Sequence, residues 1–257
     1  MSAHHGSFVW HELMTTDMAA AKAFYTNLAG WTCKDMQMPD MDYWVFSADD
    51  KMAAGLMNIP PEAKAHGAPP NWSGTIAVDD IDALIAKLKA HGGKVMREPA
   101  DIPNIGRFAV VTDPQGAYFQ IIQPAGPPPA NPPGQNDHGQ FGWNELYALD
   151  MQNVFPVYAD LFGWTKGEAI NMGEMGTYQL FHHGGVAIGG MMTKPPQMPV
   201  AAWTYYINIP DIDAAAAKFT SSGGAIFHGP AEVPRGMWIA QGRDPQGAVI
   251  AIVGKRG

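Results

Sequence analysis

The chain has 257 residues, 46% of them hydrophobic and 16% charged, which is apolar mass enough for one large domain or two of average size. A formal net charge of −8 and a pI near 5.5, with lysines and arginines scattered singly, exclude an electrostatic grip on nucleic acid or an anionic membrane. The single cysteine, Cys33, excludes an intrachain disulfide and a thiolate metal cluster.

The opening Met-Ser-Ala-His-His-Gly has no basic region leading into an apolar run, and no later stretch approaches the ~20 apolar residues of a membrane span. A cytoplasmic protein is therefore expected. Residues 8–14 read as a strand. Asp17 is placed to cap a helix that runs to Ala29 and closes at Gly30, where a left-handed residue is needed. Cys33 follows that helix and reads as a small core residue, with an activated nucleophile as the alternative. Residues 43–47 and 53–58 read as strands. A further strand covers residues 75–78, and Asp80 or Asp82 opens a helix to His91. Strands over 108–112 and 117–123 follow, joined by the turn Asp113-Pro114-Gln115-Gly116. Strand, helix, then several strands thus occurs twice within the first 123 residues. Residues 124–140 hold six prolines (124, 127, 128, 129, 132 and 133) and predict an extended, semi-rigid spacer.

After the spacer the whole arrangement returns. Trp10, Glu12, Leu13, Asp17 and Gly30-Trp31 reappear 133 positions later as Trp143, Glu145, Leu146, Asp150 and Gly163-Trp164. Pro60-Pro61 matches Pro195-Pro196 at an offset of 135, and Asp113-Pro-Gln-Gly116 matches Asp244-Pro-Gln-Gly247 at 131. The shared order marks a duplication, with small insertions and deletions in loops. The fold class expected is α+β: four βαβββ modules forming two domains, 1–123 and 141–257, around the linker 124–140.

This unit resembles the vicinal oxygen chelate superfamily, which includes glyoxalase I, bleomycin-resistance proteins and extradiol dioxygenases. The residues that carry the resemblance are Ala23-Phe24-Tyr25 with Gly30-Trp31, and Asp113-Pro-Gln-Gly116 before an alternating strand. Val157-Tyr158, Gly163-Trp164 and Asp244-Pro-Gln-Gly247 repeat them. The Trp-x-Glu-Leu openings and tandem layout look most like the two-domain glyoxalase-like proteins of the mycobacterial 27 kDa antigen type. The resemblance implies that paired modules make half-open β-barrel cups that hold a ligand. In many relatives a divalent ion sits there on His, Glu or Gln side chains and acts as a Lewis acid.

The resemblance also implies where such ligands would stand, and this sequence departs from it. The first position, seven residues before each helix-cap Asp, holds Trp10 and Trp143; His11 is adjacent, but pleat alternation points it to the other face. The second lies near Leu56 and Met191, flanked by Gly55, Met57, Gly190 and Met192. The third falls on Ser73 and Thr204, and the fourth on Gln120 and Ala251. Gln120 alone has a familiar ligand type, so no metal site and no cofactor are expected. A divalent ion on displaced ligands such as Glu12 or Glu145 stays open as the alternative.

The cup faces expected instead are aromatic and polar, the usual lining of a small-molecule site. The ligand-binding candidates are Trp10, Glu12, Tyr43 or Trp44 (with Trp44 preferred), Ser73, Thr75, Tyr118 and Gln120. Their second-half counterparts are Trp143, Glu145, Thr204, Tyr206, Asn208 and Trp238. The bland reading is that the tryptophans plug the cups, and that Glu12 and Glu145 pair with an arginine such as Arg107 or Arg235. The sharper reading makes either glutamate a general base or a reader of ligand polarity. Two functions follow: a metal-independent small-molecule binder of the bleomycin-resistance type, or a lyase, isomerase or dioxygenase using Glu12 or Glu145. The partner expected is a small molecule, and the protein itself a monomer or homodimer.

Overall fold

The computed structural model describes residues 2, 4–39, 41–127 and 132–257. The first module is β1 (Phe8–Thr15), α1 (Met18–Ala29), β2 (Thr32–Asp35), β3 (Tyr43–Ala48) and β4 (Lys51–Asn58), followed by the short α2 (Pro61–Ala65). The second is β5 (Asn71–Ala77), α3 (Ile81–Ala90), β6 (Lys94–Ile102), β7 (Gly106–Thr112) and β8 (Tyr118–Pro124). The third is β9 (Phe141–Ala148), α4 (Met151–Phe162), β10 (Thr165–Asn171), β11 (Thr177–His183) and β12 (Val186–Thr193). The fourth is β13 (Ala202–Asp211), α5 (Ile212–Ser221), β14 (Ala225–Val233), β15 (Met237–Arg243) and β16 (Val249–Lys255). One strand, one helix and three strands recur four times. Among the described residues, no helix is long and apolar enough to cross a membrane.

The strands form two eight-stranded mixed sheets, neither closed into a barrel. Their orders are β2-β3-β4-β1-β5-β8-β7-β6 and β10-β11-β12-β9-β13-β16-β15-β14. The strands that periodicity did not locate, β2, β6, β10 and β14, are the sheet edges. They are mostly exposed on both faces and so carry no clean alternation.

Local chemistry sets the helix ends. The carboxylates of Asp17, Asp80, Asp150 and Asp211 accept from the backbone N–H of Ala20, Ala83, Asn153 and Ala214 at 2.9 to 3.1 Å. Asp80, not Asp82, therefore opens α3. Gly30 and Gly163 close α1 and α4 at φ 70°, the left-handed region that glycine enters without strain.

Packing gathers the chain into two compact units: Met1–Val9, Gly74–Asn131 and Trp143–Trp203 make one; Trp10–Ser73, Pro132–Gly142 and Thr204–Gly257 make the other. The first thus holds nearly all of the second and third modules, and the other nearly all of the first and fourth. Each has a core of stacked aromatics. In the unit of the first and fourth modules, Tyr25 of α1 is fully buried against Trp31, Phe46 and Trp72, and Phe24 meets Phe219 of α5 edge-on. Trp72 Nε1 donates to Tyr25 Oη at 2.8 Å, and that hydroxyl donates to Asp244 Oδ2 at 2.9 Å. Asp244 Oδ1 meanwhile accepts from the Gln246 and Ala248 amides of its own turn.

The other unit repeats this with its own residues. Trp203 Nε1 donates to Tyr158 Oη, which donates to Asp113 Oδ2 at 3.1 Å, while Tyr158 stacks on Trp164. Burial pushes both carboxyls above the usual aspartate range, against the lowering effect of these hydrogen bonds. The two most diagnostic motifs, the helix tyrosine and the Asp-Pro turn, are therefore direct partners, but each tyrosine meets the turn from the other half of the sequence.

Trp31 and Trp164, expected as core anchors, are 3% and 2% exposed and donate to the carbonyls of Gly139 and Gly6. Of the predicted spacer, residues 128–131, with Pro128 and Pro129, lie outside the described residues. Residues 124–127 stay with the unit of the second and third modules, where Ala125 N donates to Ile105 O, and residues 132–140 are pinned in the unit of the first and fourth. Gly139 N donates to Asn208 O, and the Asn208 amide donates to the carbonyls of Gln135 and Asp137.

Candidate functional site

In β1 the pleat buries His11, Leu13 and Thr15 on one face and leaves Trp10, Glu12 and Met14 half-buried on the other. His11 does point away from the face of Trp10, stacking on Phe141 with ring centroids 4.0 Å apart. On the opposite face three side chains form a chain of hydrogen bonds. Trp10 Nε1 donates to Tyr43 Oη at 2.9 Å, and Tyr43 Oη donates to Glu12 Oε2 at 3.0 Å. An indole N–H can only donate, so the tyrosine proton is directed to the carboxylate. Burial first, and the neighbouring Glu12 charge second, push the Tyr43 phenol far above its usual range. Tyr43 is therefore a neutral donor at any physiological pH.

The third module builds the same trio. Trp143 Nε1 donates to Tyr178 Oη at 2.8 Å, and Tyr178 is hydrogen-bonded to Glu145. Burial, then the Glu145 charge, keeps Tyr178 neutral. Both trios need a glycine beside the glutamate. Gly55 pairs with Glu12 across β1 and β4, and Gly190 with Glu145 across β9 and β12. A Cβ on Gly55 would overlap the Tyr43 hydroxyl, and one on Gly190 the Tyr178 ring. Gly55→Ala should therefore expel Tyr43 and destabilise the protein by about 1–3 kcal/mol, read as a lowered melting temperature; an unchanged melt would mean that Tyr43 has room to move.

The other two modules carry smaller polar pairs. Thr75 Oγ1 donates to Gln120 Oε1 at 2.6 Å across β5 and β8. In the fourth module Tyr206 replaces the threonine and Ala251 the glutamine. The amide comes instead from the neighbouring strand β15, where Gln241 Nε2 donates to Tyr206 Oη at 2.5 Å.

Several sequence expectations are redirected. Tyr43, not Trp44, joins Trp10 and Glu12; adjacent strand residues face opposite sides, and Trp44 lies under the Lys22 ammonium of α1 at 5.4 Å. Tyr118 is 55% exposed, whereas Ser73 and Thr204 are buried. Asn208 spends its amide on the linker. Trp238 is covered by the Arg256 guanidinium at 3.7 Å. Arg107 pairs with Asp82 rather than with either glutamate. Sequence reading missed Tyr178 and Gln241. The 135-residue offset that relates the two Pro-Pro pairs also carries Tyr43 onto Tyr178, so that signal was present. Gln241 aligns with Val110 and left no signal.

The positions that the resemblance implies for a divalent ion hold side chains poorly suited to it: an indole, glycines beside buried Leu56 and Met191, hydroxyls, one amide and an alanine. Among the described residues no group of three or more His, Cys, Asp or Glu is placed to hold a metal ion.

A profile described as "Glyoxalase/Bleomycin resistance protein/Dioxygenase superfamily" matches residues 7–121. The chain is 33% identical over 246 residues to "Putative glyoxylase CFP32" of Mycobacterium tuberculosis, covering 95% of this chain and 93% of that protein. It is 30% identical over 260 residues to "Anthracycline biosynthesis protein DnrV" of Streptomyces peucetius, covering 96% and 93%. Among solved structures, the Mn(II)-bound glyoxalase from Novosphingobium aromaticivorans superposes with a TM-score of 0.66 at 17% identity, over 99% of this chain and 83% of that one. The chain belongs to the Glyoxalase/Bleomycin resistance protein/Dioxygenase superfamily.

Proposed function

We propose that the protein binds a small organic molecule on the aromatic face that carries the Trp–Tyr–Glu trio, without the divalent ion its family commonly uses, as a cytoplasmic monomer or homodimer. The observation that carries this reading is the trio itself. Where a chelating imidazole would be expected there is a tryptophan, and it orients a neutral tyrosine onto a carboxylate. Such a unit presents an aromatic wall beside an anionic acceptor of fixed orientation, which suits a ligand bringing an apolar body and a hydrogen-bond donor. A relative named for anthracycline biosynthesis fits a role around aromatic small molecules.

The test is calorimetric titration of the full chain against a diverse panel of small aromatic hydroxy compounds. Binders are expected, and Glu12→Gln should weaken them by about ten- to a hundredfold, the worth of one charge-assisted hydrogen bond. A panel without any binder, or binders indifferent to Glu12→Gln and Glu145→Gln alike, would sink the reading.

A second reading, a lyase, isomerase or dioxygenase, is favoured by one observation: each glutamate is held by a neutral tyrosine, a geometry that positions a general base. One divalent ion per chain by elemental analysis of the purified protein, lost in Glu12→Gln or Glu145→Gln, would favour it over the binder.

A further inference from the structure

The two trios are equivalent, but their surroundings are not. At one level across the first module, Met14 of β1 pairs with Met57 of β4, and Met57 pairs with Tyr43 of β3. Met36, just beyond β2, continues the ladder by donating its N–H to Tyr43 O at 3.0 Å. Residues paired across neighbouring strands share a face. The thioethers of Met14 and Met57 therefore lie in a row with the Tyr43 phenol, on the face of Trp10 and Glu12, and Met36 extends that row at its edge. The chain then passes through Met38 and Met41 before reaching Tyr43. Met36, Met38 and Met41 are 42%, 41% and 40% exposed.

The matching level of the third module is different. Tyr147 pairs with Met192, and Ile170 pairs with Tyr178. Met192 and Glu145 are buried there, whereas Met14, Met57 and Glu12 are only half-buried. Glu12 is thus more open in the first copy, whose row is lined with methionine; the duplicate buries its glutamate and has replaced two of the three row methionines, while its β10–β11 loop still carries exposed Met172 and Met175.

Exposed methionines contribute nothing to a core, and this run, which begins at the edge of the row and leads in sequence to Tyr43, leaves apolar surface in water. Methionine is unbranched and polarizable, so its thioether adapts to the edges and faces of flat rings. We propose that the first module is the ligand-holding one. Its methionine row takes the planar aromatic body of a hydroxylated ligand, while Glu12 accepts the ligand's hydroxyl proton in a hydrogen bond. This inference rests on the binding reading above and adds to it the ligand class, the occupied module and a stoichiometry of one.

The experiment titrates the full-length protein with 1,4-dihydroxyanthraquinone as probe, following tryptophan fluorescence and calorimetry. One probe molecule per chain is expected. The triple variant Met36→Ser, Met38→Ser, Met41→Ser alters only exposed side chains and should weaken binding at least about tenfold, as three lost sulfur–aromatic contacts would. Met96→Ser, an exposed methionine on β6 outside the row, should leave binding unchanged. Met14→Ser with Met57→Ser should weaken binding as the triple variant does.

Two equivalent probe molecules per chain would overturn the assignment to the first module. Unchanged affinity in the triple variant, with Glu12→Gln still weakening the probe, would overturn the methionine contact and leave the binding reading standing. Failure of the probe while other panel compounds bind through Glu12 would overturn the ligand class alone. A triple variant that converts a dimer into monomers by sedimentation would assign the row to self-association instead.

Discussion

Tyr25→Phe is expected to cost about 2–4 kcal/mol of stability, and the loss should depend on pH. The hydroxyl is fully buried, accepts from Trp72 Nε1 and donates to Asp244 Oδ2. Its removal strands a buried donor and a buried carboxylate oxygen, each of which costs about 1–3 kcal/mol when unsatisfied. Asp244 is already pushed above the usual carboxylate range by burial, and the Tyr25 hydrogen bond opposes that rise. Without it the carboxyl rises further. A carboxyl whose folded pKa lies above its unfolded value of ~3.9 favours the folded state below that value. The contribution is lost as pH climbs through the folded pKa. The variant's deficit should therefore be largest near neutrality and shrink as the pH falls toward about 4. Urea unfolding of both proteins at about pH 7 and about pH 4.5 measures it. Equal deficits at the two pH values would show that Asp244 is not the group left unsatisfied. Tyr158→Phe should behave alike through Asp113, because Trp203, Tyr158 and Asp113 repeat the arrangement.

Trp164→Ala should be costlier, at about 3–5 kcal/mol, the range for emptying a buried aromatic site. The indole is 2% exposed, lies parallel to Tyr158 at 5.5 Å and stacks on Phe181 at 4.5 Å. Its Nε1 donates to Gly6 O at 2.8 Å and so fixes the segment that leads into β1. Trp164→Phe separates the two roles. It keeps most of the ring packing and removes only the bond to Gly6, so it should cost about 1–2 kcal/mol. Amide exchange should then quicken at residues 5–7 and not at Tyr158 or Phe181. Exchange that quickens throughout the aromatic cluster would mean that packing alone holds this segment.

Most of the candidate site was within reach of the sequence because it was built twice. Trp10 and Glu12 share a pleat face by simple alternation, and their counterparts Trp143 and Glu145 follow at a fixed offset. Which of Tyr43 and Trp44 would complete the trio was not legible. Both are aromatic, they alternate, and a loop of uncertain register precedes them. The deciding contact is a glycine, Gly55, whose missing side chain makes room for one hydroxyl. A glycine in a strand is ambiguous until the neighbour that fills its space is known.

The sequence by itself determined four βαβββ modules, most of their caps and the duplication that relates the two halves. These depend on interactions a few residues apart: a carboxylate on the next turn's amides, a left-handed glycine, the two-residue alternation of a buried strand. Only the tertiary structure decided that Tyr25 meets Asp244 while Tyr158 meets Asp113. The two Asp-Pro-Gln-Gly turns are chemically identical, so nothing local distinguishes the right acceptor from the wrong one. The choice is made by which aromatic clusters close around each tyrosine, and burial of that kind is a property of the folded chain.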